Sequence, residues 1–163
     1  MSDLRGGIQV VVDGVRLNQG QREEGYTYVP WYPEYVGELI HNDLWDLIST
    51  TTALRTRELD LFASNRVQLG SVGHWFVVEP LNNTHARLAY QGNYAYDDPQ
   101  DVLPPVECLH GYVVPIEDFC NAVLQTGRAY VEELYSLDIR GERVVLEKFE
   151  DVVDDLETAI QSC

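Results

Sequence analysis

The chain of 163 residues carries 27 acidic against 11 basic side chains, a formal net charge of −16. Charge of that sign argues against nucleic-acid and anionic-membrane binding, because phosphate contacts need lysine and arginine. A hydrophobic fraction of 45% belongs to a globular domain, and the longest apolar runs, such as "WFVV", fall far short of the ~20 residues that span a bilayer.

The length predicts one domain over 1–163. The opening "MSDLRGGIQV" has no apolar signal region, so a cytoplasmic location is the expectation. Three cysteines, Cys108, Cys120 and Cys163, show no framework spacing and are expected as free thiols, two buried and one at the tail. Among the basic residues only Lys148 is lysine; the rest are arginine. That balance fits a GC-rich genome or a halophilic, salt-rich cytoplasm, where acidic surfaces keep proteins soluble. It also suits a basic protein partner.

In chain order, "IQVVVDGVRLN" (8–18) reads as strand, with Asp13-Gly14 as a hairpin turn. Prolines 30 and 33 break an aromatic loop. Val36, Leu39, Ile40, Leu44, Leu47 and Ile48 then recur at helical spacing and predict a helix near 34–50, ended by the poor helix-forming run "STTTAL". "RELDLFAS" (57–64) alternates like a strand, and "RVQLGS" suggests another short one. "GHWFVVEP" (73–80) and "ARLAYQGN" (86–93) flank "LNNTH" and predict a hairpin, in which the sequon Asn82-Asn83-Thr84 is simply a turn. An acidic, proline-bearing loop at 94–105 precedes the apolar run "CLHGYVV".

Pro115 opens the clearest helix (115–135), with Ile116, Phe119, Cys120, Val123, Leu124, Val131 and Leu134 on one face. A last helix (144–161) buries Phe149, Val152, Val153, Leu156 and Ile160 under an acidic exterior. The connection of about eight residues predicts that the two pack antiparallel. The fold class is therefore α+β: an antiparallel sheet of four to six strands with about three helices mainly on one face.

No catalytic signature is present. Cys108 and His110 share a strand face, but a zinc site needs at least three protein ligands and the other cysteines supply no matching spacing; no metal or cofactor is expected. His41 falls on the polar side of its helix and is expected in solvent, while His74 and His85 look incidental. Glu79, embedded in "FVVEPL", is the one carboxylate placed for desolvation, with a hairpin edge as its plainer home.

Taken together, "VVDGVRLN", "GELIHNDLWDLIS", "RELDLF", "WFVVEPLNNTHARLAYQ" and "YVVPIEDFCNAVLQTGRAYVEEL" resemble, in their layout, the small acidic α+β immunity proteins encoded beside bacterial polymorphic toxins. The resemblance implies a non-enzymatic inhibitor that plugs a partner's active site, and it transfers no specific residue. Two other readings stand beside it: an acidic binding or adaptor protein whose charge is environmental, and an enzyme of another type with a pocket around His110, Cys108 and Glu79.

For an inhibitor, the expected partner is a basic protein, such as a toxin or nuclease. Two surfaces are expected to meet it. One is the loop "YAYDDPQDVLPPVE", where Tyr94 and Tyr96 offer rigid anchors and Asp97, Asp98 and Asp101 offer steering charge; the same loop also serves as a plain cover for a sheet edge. The other is the acidic face of the last helix, Asp151, Asp154 and Asp155, ranked second because that helix carries no exposed aromatic residue.

Overall fold

The computed structural model describes residues 10–16, 40–68, 74–92, 111–137 and 143–162. The predicted loop with Tyr94, Tyr96, Asp97, Asp98 and Asp101 lies outside the described residues, as do Cys108, His110 and Cys163. Among the described residues there are six strands and three helices.

Two short strands, β1 (Val11–Val12) and β2 (Val15–Arg16), pair antiparallel. Asp13 and Gly14 join them with φ of 49° and 78°, the left-handed pair that a two-residue hairpin turn requires. The main sheet is an antiparallel meander of β3 (Asn65–Gln68), β4 (His74–Pro80), β5 (His85–Gly92) and β6 (Gly111–Pro115), in that order. Strand alternation sorts its faces. Phe76, Val78, Ala86, Leu88 and Tyr90 point to the helices and are buried. The β4–β5 turn is clamped by Asn82, whose Oδ1 accepts hydrogen bonds from the backbone N–H of Thr84 and His85, each at 2.8 Å, and from the Thr84 hydroxyl at 2.9 Å. Thr84 in turn accepts at its carbonyl the N–H of Ile116 at 2.8 Å, which satisfies one of the donors left open at a helix start.

Three helices cover the sheet: α1 (Ile40–Arg55), α2 (Ile116–Ser136) and α3 (Arg143–Gln161). Their apolar stripes meet, with Leu44, Ile48, Leu134, Phe149, Val153 and Leu156 essentially inaccessible. Helices α2 and α3 run antiparallel, since Arg128 faces Glu157 while Tyr135 faces Glu150. Helix α1 runs with α3: His41 stacks beside Phe149 and Arg55 reaches Ile160. Helices α1 and α3 both crowd Gly127 of α2, where a Cβ would sit 3.1 Å from Ile48 Cδ1 and 3.2 Å from Val153 Cγ2.

Two sequence expectations are corrected. The threonine run does not end α1, which continues to Arg55. Thr51 and Thr52 donate their hydroxyls to the carbonyls of Leu47 and Ile48 at 2.7 and 2.9 Å, so the polar atom is satisfied within the helix and Thr51 is fully buried. The segment 57–64 is not a strand despite its alternation. It turns twice through left-handed backbone, at Arg57 (φ 63°) and Phe62 (φ 64°), and pairs with no strand.

Candidate functional site

The acidic character of α3 is concentrated on the side turned from the core. Asp151, Asp154 and Asp155 are all exposed, as are Glu147 and Lys148. The three aspartates are not equivalent. Asp154 Oδ1 lies 2.7 Å from Arg128 Nη2 on α2, and Glu157 binds the same nitrogen. Partial burial lowers the Arg128 pKa, but the hydrogen bonds and charges of the two carboxylates outweigh it and the net shift is upward. Asp154 therefore ties the helices together, and Asp151 and Asp155 carry the outward charge.

The ranking of this face changes once α2 is in place. Tyr135, near the end of α2, is 56% exposed and donates its phenol hydrogen to Glu150 Oε2 of α3 at 2.6 Å. The face thus has the exposed aromatic that α3 alone lacks. Glu132, one turn earlier on α2, and Glu147, one turn before Glu150 and Asp151 on α3, are exposed around it. Leu137, Val144 and Val145, at 40%, 63% and 40% exposure, extend the patch with apolar surface where α2 ends and α3 begins. An exposed amphipathic ring bonded across the helix pair, exposed aliphatic residues and exposed carboxylates are thus all carried on the outer surfaces of these two helices. The sequence signal was present, since Tyr135 stands outside the apolar stripe of α2, but its neighbours are not sequence neighbours.

Other predicted positions resolve differently. His41 is not in solvent. Its ring lies 4.9 Å from the Phe149 ring and 6.2 Å from Trp45, and its Nδ1 is 3.3 Å from the Tyr130 hydroxyl. The helical pattern left His41 off the stripe, yet α3 brings Phe149 against it. Burial pushes the Tyr130 phenol up to about 12. Glu79 lies in the β4–β5 hairpin, one residue past the last β3–β4 pair at Val78, and its Oε2 accepts a hydrogen bond from Arg87 Nη1 directly across the ladder at 3.0 Å. The Arg87 side chain crosses over Gly111 on β6, where any Cβ would collide with it. Glu79 is thus engaged in a cross-strand ion pair with Arg87. Cys120 is fully buried in the core.

A mostly apolar cleft of about 690 Å³ separates the β1–β2 hairpin from β6 and the first turns of α2, with Asp13 and Asp118 at its margin. A smaller cleft of about 210 Å³ lies where the end of α1 meets the β4–β5 turn. Among the described residues, no group of three or more histidine, cysteine or carboxylate side chains is placed to hold a metal ion, and no helix is long and apolar enough to cross a membrane.

No family model matches the chain, and no curated protein or solved structure matches it significantly.

Proposed function

We propose that the protein is a non-enzymatic, protein-binding inhibitor of the immunity type, which neutralises a basic partner in the cytoplasm by covering its active site. The observation that carries the reading is Tyr135, exposed at 56% within the acidic face formed by α2 and α3. Interface energy concentrates in rigid aromatic anchors with water-excluding surroundings. Complementary charge adds association rate, up to ~10⁸–10⁹ M⁻¹s⁻¹ at low salt. Tyr135 supplies the anchor, Val144 and Val145 supply surrounding apolar contact, and Glu132, Glu147 and Asp151 supply the charge. A basic cleft, such as that of a nuclease, is the complementary surface.

The test begins with capture of the partner on the intact protein and its identification by mass spectrometry. Association is then followed with the double variant Asp151→Lys/Asp155→Lys, leaving Asp154 in its contact with Arg128. The expected outcome is slower association with a weaker dependence on salt, and unchanged circular dichroism. Association kinetics equal to those of the native chain would remove this face from the interface.

A further inference from the structure

The 210 Å³ cleft has a chemistry opposite to the rest of the molecule. Arg55 and Arg57 border it on one side, Asn82 and Asn83 on the other, and Leu54 and Ile116 contribute apolar wall. Two residues apart on a continuing helix, the arginines would face different directions. They share this cleft because α1 stops at Arg55 and the backbone turns left-handed at Arg57, with φ 63°. That conformation is uncommon for any residue other than glycine, asparagine or aspartate. The opposite wall is pre-set by the Asn82 clamp, which holds the turn and leaves Asn83 exposed.

The arginines are also unusual in their pairing. Arg87 is paired with Glu79, and Arg128 with Asp154 and Glu157. In a chain with 27 acidic side chains, neither Arg55 nor Arg57 has an ion-pair partner among the described residues. The Arg55 guanidinium makes one long hydrogen bond, Nη2 to the Ile160 carbonyl at 3.4 Å, and its buried Nε has no acceptor. That carbonyl, near the negative end of α3, orients Arg55 but does not neutralise it. A buried donor without an acceptor is costly and uncommon in native proteins.

We propose that this cleft binds a small oxyanion, the class that includes phosphate and short carboxylates, through Arg55 and Arg57, with Asn83 as an additional donor. Guanidinium groups bind carboxylate and phosphate through paired, charge-assisted hydrogen bonds. The volume admits one such group with a short substituent, and the approach of an anion to an otherwise negative molecule is aided by screening beyond ~8 Å at physiological salt. The site stands apart from the Tyr135 face and does not depend on the partner proposed for it.

The experiment uses the intact protein at constant ionic strength, titrated separately with inorganic phosphate and with succinate against a chloride control. Thermal unfolding and the NMR signals of the arginine Nε–H groups are followed together. A ligand that binds only the folded state raises the unfolding midpoint by about 5 °C at fifty-fold excess over its Kd. The native chain and the control Lys148→Gln are expected to show this saturable rise with at least one anion, together with shifts of the Arg55 and Arg57 signals. Arg57→Asn, which retains a residue tolerant of the left-handed backbone, and Asn83→Glu, which places a carboxylate in the cleft, are expected to lose it. Which of the two anions acts identifies the preferred chemistry. No saturable rise with either anion, or an equal rise in both cleft variants, would overturn the proposal.

Discussion

Tyr135 of α2 and Glu150 of α3 stand 2.6 Å apart across the helix pair, phenol to carboxylate, on the outer surface of the protein. The contact holds an exposed ring in a fixed orientation, so little side-chain freedom remains to be lost when a partner covers it. Tyr135→Ala is expected to weaken partner binding by on the order of 2 kcal/mol, roughly thirty-fold, in the range of an interface hot spot. Tyr135→Phe keeps the ring and should lose far less. Equilibrium titration of both variants against the captured partner distinguishes an anchoring ring from one that only braces the helices.

Gly127 sits where three helices converge. Alanine there gains helix propensity of up to about 1 kcal/mol but meets Ile48 and Val153 at 3.1 and 3.2 Å. A larger, branched side chain has no such compensation. Gly127→Val is expected to destabilise by about 1–3 kcal/mol through overpacking, measured as a lowered urea midpoint with little change in slope. A midpoint equal to that of the native chain would mean that the helices separate at that crossing at little cost.

Phe149 is fully buried, with His41 and Tyr130 rings at 4.9 and 5.1 Å and Trp45 at 6.0 Å. Phe149→Ala should cost about 3–5 kcal/mol, while Phe149→Leu should cost less because more of the volume is retained. Chemical denaturation of the two variants checks the order.

Tyr130 gives the pH dependence a direction. Burial raises its pKa from the ordinary 10 to about 12 in the folded state, because the charged phenolate is poorly solvated there. The folded state then holds the proton more tightly than the unfolded state. The stability linked to this group is complete below pH 10 and is lost as pH rises toward 12. Denaturant midpoints measured across that interval should fall, and Tyr130→Phe should flatten the fall. An identical decline in the variant would assign it to other groups.

Much of the fold was legible because its determinants are local. Period-3.6 stripes around Leu47, Phe119 and Leu156, the strand-like runs through Phe76 and Leu88 on either side of their turn, and the Asp13-Gly14 turn each act within a few residues, and each appears in the structure. Segment 57–64 shows the limit of that reasoning: two short alternations are too little to outweigh a chain reversal at Arg57 and Phe62. What the residues do to one another was decided by which faces of distant segments met. His41 is off its own helical stripe, and α3 puts Phe149 against it. Tyr135 and Glu150 lie fifteen residues apart in the chain, and Arg55 and Asn83 lie on separate elements. By itself the sequence determined the alternation of polar and apolar faces, the turn positions and the excess of negative charge, because each follows from residue type and spacing. Only the tertiary structure decided that a tyrosine stands within the acidic face and that two arginines share one cleft, because helix packing and a left-handed backbone reversal place side chains together at separations that no local pattern encodes.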